Sequence, residues 1–252
     1  MLGVAAIMPY HVRCIIPHDR YCHFVGFELL VSSAEAGAAT EAAEERHLAD
    51  TFISYVDRDA FSSIVSLADL SNRLGFAYTT HLKWMCERDL RIMPATWGLS
   101  SFSDETMDAI SPTALELGIV RELEGGHLSP DVYVMWVSEA LGHGVFAARN
   151  LAAGTFLGEY TGIVLATQNP GAYSLNYPCL DGGHEISAAD TGNLMRLINH
   201  SATPNSSFQR VFHESIIHTV VRTTAGVAAD EQICVDYSPS YWKGRGITPM
   251  DN

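Results

Sequence analysis

The feature that most constrains this chain is a series of short β-type runs set apart by glycines and polar turns. They are DVYVMWV (131–137), GTFLGEYTGIVL (154–165), SSFQRVFH (206–213), SIIHTVVRT (215–223) and EQICVDY (231–237). Strands this short cannot bury themselves and need partners across a sheet, so residues 127–240 are expected to form a β-rich unit. Upstream the texture changes. From Ser33, SAEAGAATEAAEERHLADTFISYV is rich in alanine and glutamate and free of proline, which predicts a helix with a solvated acidic face. A second helical region is expected over 58–92, and PATWGLSSFSDETMDAISP (94–112) reads as a proline-punctuated linker. Before Ser33, YCHFVGFELLV reads as a strand or a buried segment. The chain is therefore α+β: a mainly helical region at 1–126, the β-rich unit at 127–240, and a short aromatic and basic tail at 241–252.

The 58–92 stretch has the rhythm of a helix-turn-helix, with Leu67 and Leu70 on one helix, Gly75 in the turn, and Leu82 and Met85 on the next. Reading DNA this way requires a basic second helix. THLKWMCERDL sets Lys83 and Arg88 against Glu87 and Asp89, so a hairpin packed on its own protein is the favoured reading. The net charge of −14 points the same way, since phosphate neutralisation needs cations. Direct nucleic-acid binding is not expected. An acidic field of this size favours a basic protein or peptide as partner.

A hydrophobic fraction of 47% supports a real core, and no apolar run is long enough to cross a bilayer. The stretch MLGVAAIMPYHVRC lacks the basic n-region of a secretory signal. The cysteines Cys14, Cys22, Cys86, Cys179 and Cys234 have no regular spacing, which suits a reducing compartment. The expected location is the cytoplasm of the producing cell, with export to a host cell and its nucleus by an unreadable signal as the alternative. His11, Cys14, His18, Cys22 and His23 are zinc-type ligands, but no CxxC pair occurs and Pro17 interrupts them, so no metal is assigned. Nothing in the sequence sets an oligomeric state.

Gly142-His143-Gly144 permits close approach of backbone to a ligand. It lacks the Rossmann spacing, because Ala147 stands where a third glycine would fall. Glu159-Tyr160 closes a strand, and Tyr173 follows. LINHSATPN then contains two glycosylation patterns, at Asn199 and at Asn205, in a chain with no readable secretory signal. DEQICVDYSPSYW brings Tyr237, Tyr241 and Trp242. Singly, each of these is explicable as turn or core.

In this order and spacing they resemble the SET-domain protein-lysine methyltransferases. That family's pattern runs GxG, E-Y-x-G, a tyrosine, G-N-x-x-R-φ-φ-N-H-S-x-x-P-N and E-E-φ-x-φ-D-Y. Here the blocks are Gly142 to Gly144, Glu159 to Gly162, Tyr173, Gly192 to Asn205, and Glu231 to Tyr237. GVFA, GEYTGI, RLINHS and the terminal aromatic run are nearest to small bacterial SET proteins of chlamydial type, which makes a bacterial effector the implied class. Residues 1–126 resemble the family thinly and inherit no role.

The resemblance implies a SET fold, with small sheets around a knot-like crossing. It also implies S-adenosylmethionine-dependent methylation of lysine in a basic protein, histone or histone-like. The cofactor would meet Gly142, His143, Gly144, Val145, Tyr173, Arg196, Asn199 and His200, with Tyr241 or Trp242 over the adenine. Tyr237 would be the catalytic tyrosine and Tyr160 would line the lysine channel. Val235 and Phe208 match positions governing how many methyl groups are added, and Phe208 has no hydroxyl to hold water. Pro204-Asn205 would shape the crossing, with Asn205 satisfying backbone groups. Many members bind zinc after NHS and DY, yet here Ala202 replaces the first cysteine and SPSYWKGRGITPMDN contains none, so the aromatic tail would close the channel. The alternatives are an inactive SET-fold binding module and a DNA-binding regulator acting through the N-terminal hairpin.

Overall fold

The computed structural model describes residues 13–14, 22–24, 27–29, 34–84, 113–166, 171–177, 183–213 and 216–246. The expected linker at 94–112, residues 85–92, Cys86 and Cys179 lie outside the described residues. So does the histidine–cysteine cluster, apart from the backbone of Cys14, Cys22 and His23.

Three short strands come first: β1 (Arg13–Cys14), then β2 (Cys22–Phe24) and β3 (Phe27–Leu29) as an antiparallel hairpin. The alanine-rich segment forms helix α1 (Ala34–Asp50). Its expected extension through Val56 is overturned: Phe52–Val56 is strand β4, paired with β5 (Ser62–Ser66). Ile53 and Tyr55 are buried while Phe52 and Ser54 face out, the two-residue period of a half-buried strand. Here tertiary pairing outweighs the helix propensity of the preceding residues.

Helix α2 (Leu67–Leu74) starts where the Ser66 side chain accepts the Asp69 amide at 3.1 Å and ends at Gly75, with φ of 74°. Leu67 and Leu70 are buried beneath it. At 0% exposure, Leu70 contributes about 1.5–3 kcal/mol through burial. The helix-turn-helix expectation fails at the next step. After Gly75 the chain forms strands β6 (Ala77–Tyr78) and β7 (Lys83–Trp84), and Leu82 and Trp84 enter the core. Trp84 meets Tyr177 edge-on at 5.4 Å. Residues 76–84 therefore serve a sheet, and no recognition helix occurs over them.

Two short helices, α3 (Ala114–Leu117) and α4 (Val120–Glu124), precede the β-rich unit. Its strands are β8 (Val132–Ser138), β9 (Gly142–Ala147), β10 (Phe156–Glu159), β11 (Gly162–Ala166), β12 (Ser174–Tyr177) and β13 (His184–Gly192). After a 3-10 turn at Leu194–Leu197 come β14 (Asn199–His200), β15 (Ser206–His213), β16 (Ile216–Thr223), β17 (Cys234–Val235) and helix α5 (Ser238–Arg245).

The sheets are small. One runs β5-β4-β8-β9, a second β1-β7-β11-β13-β12 with β6 also on β13, and a third β10-β16-β15. Tyr55 pairs with Val134, Lys83 with Ile163 and Ala77 with Thr191, so strands from residues 52–84 complete sheets of the later half. The fourth sheet is the parallel pair β14 and β17, with Asn199 opposite Cys234 and His200 opposite Val235. Asn205 pins this crossing. Its Nδ2 donates to the Gln232 carbonyl at 2.9 Å and to Glu231 Oε1 at 3.0 Å, and its Oδ1 accepts the Cys234 amide at 3.0 Å. The expected task of Asn205, satisfying backbone groups, is what the structure shows.

Candidate active site

The GNLMRLINH segment builds one wall of a cleft. Gly192 has no room for a side chain, since a Cβ there would lie 2.8 Å from Ala188 Cβ. Asn193 ties the turn at both ends: its Nδ2 donates to the Glu159 carbonyl at 2.7 Å and its Oδ1 accepts the Met195 amide at 3.1 Å. That cap aims Arg196 between two rings, 4.5 Å from the Phe76 centroid and 3.9 Å from that of Tyr173. Such stacking holds a desolvated guanidinium without a counter-ion. Burial lowers its pKa from the ordinary arginine value, and its Nε has no partner among the described residues.

A second wall comes from the glycine-flanked start of β9. Gly142 adopts φ of 70°, a left-handed turn that glycine enters without strain. His143 follows, with its carbonyl accepting Asn199 Nδ2 at 3.2 Å and its Nε2 hydrogen-bonded to the Tyr55 hydroxyl at 3.1 Å. Burial lowers the His143 pKa, which favours the neutral ring. The GxG and NH motifs are thus bonded to each other.

The third wall is aromatic. The Tyr237 hydroxyl donates to the Ile198 carbonyl at 2.6 Å, and its amide donates to His200 Nδ1 at 3.2 Å. His200, Tyr237, Tyr241 and Trp242 form one ring cluster, with centroids 4.7–5.8 Å apart. The Tyr241 hydroxyl donates to the Ala172 carbonyl at 3.2 Å and fixes α5 against the cleft. Opposite, the Tyr160 hydroxyl donates to the Tyr173 carbonyl at 2.7 Å, and its ring meets Phe208 edge-on at 5.7 Å. Desolvation raises the pKa of both Tyr160 and Tyr237, so both remain neutral phenols well above neutral pH.

These walls enclose about 840 Å3. Gly142, His143, Tyr160, Tyr173, Arg196, Asn199, His200, Phe208, Tyr237, Tyr241 and Trp242 all line it. Gly144, Val145 and Val235 do not: Val145 and Val235 are fully buried in the core behind it, and the Val145 carbonyl accepts the Ile233 amide. A Cβ on Gly144 would collide with Gln232 Nε2 at 2.5 Å, so the glycine there serves the packing of β9. Sequence reasoning missed Tyr55 and Phe76, which position His143 and Arg196, and also His184 and Glu185 in the cleft lining. Tyr55 and Phe76 belong to the thinly resembling segment. Glu185 is masked as one more residue of an alternating strand, HEISAAD.

A glycine-flanked strand is thus bonded to a parallel NH/CV pair, and a strand-end tyrosine closes the cleft. Residues 142–238 match the SET domain family model, and the chain carries a SET domain there. Among its relatives, Homo sapiens histone-lysine N-methyltransferase 2B is 28% identical over 163 residues, which cover 58% of this chain and 6% of that protein. Mus musculus histone-lysine N-methyltransferase EHMT1 is 28% identical over 122 residues, covering 44% of this chain and 9% of that one. The chain thus spans less than a tenth of the length of the curated relatives it matches. The crystal structure of ATXR5 in complex with histone H3.1 shares the fold, with a TM-score of 0.51 at 19% identity, covering 68% of this chain and 85% of that one.

Proposed function

We propose that this chain is a protein-lysine methyltransferase that uses S-adenosylmethionine and acts on a histone or histone-like protein. One observation carries the reading. The Tyr237 and Tyr160 hydroxyls each give their proton to a backbone carbonyl within a single cleft. Their oxygens keep lone pairs, which makes them acceptors suited to orienting the N–H groups of an amine. Raised pKa values keep both hydroxyls neutral, so they orient the amine and do not deprotonate it. The names of the relatives and the acidic net charge support a histone-like substrate.

The residues fit the cofactor. The cleft volume lies within the usual range for small-molecule sites, and the cluster of His200, Tyr241 and Trp242 offers a face for a purine. His143, Asn199 and Arg196 would hold the polar end. When bound, S-adenosylmethionine supplies an electrophilic methyl group. The chain's own part is to exclude water, align the amine and favour its neutral form. Transfer of labelled methyl to histones, with calorimetric titration of S-adenosylmethionine, tests the reading. Absence of both binding and transfer overturns it, while binding without transfer favours an inactive SET-fold module.

Two outcomes are specific to this geometry. A free lysine amine has a pKa near 10.4, and its reactive neutral fraction grows about tenfold per pH unit below that value. Because the cleft tyrosines titrate above their ordinary values, kcat/KM is expected to rise continuously from pH 7 to about 9 without a descending limb. A bell-shaped profile centred near neutrality would instead point to a general base among the histidines and carboxylates that line the cleft. Phe208 lies edge-on to Tyr160 without a hydroxyl of its own. Phe208→Tyr is expected to shift products toward fewer methyl groups, read by mass spectrometry of the peptide, and an unchanged distribution removes Phe208 from the channel wall.

A further inference from the structure

Beside the cleft lies a second cavity of about 330 Å3, lined by Leu175, Asn176, Phe208, Gln209, Arg210 and Thr219. Its position follows from strand register. Arg210 on β15 pairs directly with Thr219 on β16, and Phe208 lies two residues before Arg210 on the same face. The Thr219 carbonyl accepts the Tyr160 amide at 2.7 Å, which couples the cavity floor to the channel tyrosine. Leu175, Asn176, Phe208 and Arg210 line both spaces, so the cavity opens off the cleft, and Gln209 and Thr219 belong to it alone.

Two of the polar side chains here, Arg210 and Thr219, are unused. Among the described residues, the Arg210 side chain makes no hydrogen bond or ion pair, and burial partly desolvates it. Thr219 is 2% exposed and its Oγ1 has no partner. The other arginines nearby are committed: Arg196 is stacked between two rings, and Arg222 bonds the Gly154 carbonyl and Gln209 Oε1. A partly desolvated guanidinium beside an unpartnered hydroxyl is costly unless a ligand completes it. The ligand chemistry follows from the donors: a planar fork of N–H groups, a hydroxyl and the Asn176 amide match a carboxylate.

We infer that this cavity binds an aspartate or glutamate side chain of the protein substrate, close in sequence to the lysine that enters the Tyr160–Phe208–Tyr237 channel. The assignment of that lysine rests on the methyltransferase reading, whereas the acidic subsite does not. It also gives an acidic protein a point of selection that bulk charge cannot supply. The overall field draws in basic chains of every kind, and Arg210 favours those carrying a carboxylate beside the lysine.

Equilibrium binding and transfer, measured together, separate the two ideas. Fluorescence polarisation would compare lysine peptides carrying glutamate, glutamine or phosphoserine at each neighbouring position, against wild type, Arg210→Met and Arg210→Lys. The expected result is a preference of about tenfold for glutamate over glutamine at one or two positions, lost in Arg210→Met and partly kept in Arg210→Lys. Tighter binding of phosphoserine than glutamate would overturn the carboxylate assignment in favour of phosphate. Equal binding of glutamate and glutamine peptides overturns the subsite, even if both are methylated. The glutamate preference without any methyl transfer leaves the subsite standing and sinks the methyltransferase reading. Retained S-adenosylmethionine binding and melting temperature in Arg210→Met show that its loss of preference is local. If that variant does not fold, the glutamate–glutamine comparison on wild type decides alone.

Discussion

Tyr237→Phe is expected to lower kcat by about 100- to 1000-fold, the usual cost of removing one well-placed polar group from a reacting centre. The ring contacts with His200, Tyr241 and Trp242 survive the change, so cofactor affinity should move little. What disappears is the oxygen at the end of a 2.6 Å bond to the Ile198 carbonyl, together with its acceptor function toward the amine. The Ile198 carbonyl loses its partner as well, a modest stability cost of about 1 kcal/mol. Steady-state kinetics beside calorimetry distinguish the outcomes. A fall confined to KM would mean that Tyr237 shapes binding and not transfer.

Asn205→Ala should be the most damaging single substitution for stability. Three hydrogen bonds join the Asn205 amide to Glu231, Gln232 and Cys234, beside the parallel pair of β14 and β17. Removing them leaves the Cys234 amide and the Gln232 carbonyl unsatisfied, which predicts a loss of about 2–4 kcal/mol. For a chain of this size that is a fall in melting temperature of roughly 5–10 °C. Asn205→Asp keeps the acceptor for Cys234 but sets a carboxylate against Glu231 Oε1 and the Gln232 carbonyl, so it should be no milder than Asn205→Ala. A melting curve for Asn205→Ala within a degree of wild type would show that the crossing is held elsewhere.

The site was legible where the chain concentrates function into motifs. Asn199, His200, Arg196 and Tyr237, which line one cleft, could be named because GNLMRLINH and VDY follow GxG and EYTG in order, although each block alone passes for turn or core. Asn205 was legible as an amide satisfying backbone groups, although it is partly rather than fully buried. The N-terminal half was not, and the reason is physical. Phe52–Val56 follows an alanine–glutamate helix with no breaker, so local propensity extends the helix, and only pairing with Ser62–Ser66 and Val134–Met135 makes it a strand. Leu82 and Met85 suggest a second helix because they stand three positions apart. The residues that become buried are instead Leu82 and Trp84, at the two-residue period of a strand. Their burial against β11 and Tyr177 is a property of the assembled sheet. Tyr55 reaches His143 across 88 positions, a contact that no window of sequence contains.

The parallel pairing of Asn199–His200 with Cys234–Val235 also has a consequence for the order of events during synthesis. Until the segment that ends in Tyr237 has emerged from the ribosome and docked beside β14, no precursor has a closed cleft. A nascent chain with its other sheets already formed still lacks Tyr237, the Tyr241 and Trp242 rings and the partners of Asn205. Contacts of such long sequence separation form late because loop closure must come first. Completion of the fold and closure of the cleft are therefore one event, and a chain that stalls or is clipped before Cys234 has no closed cleft.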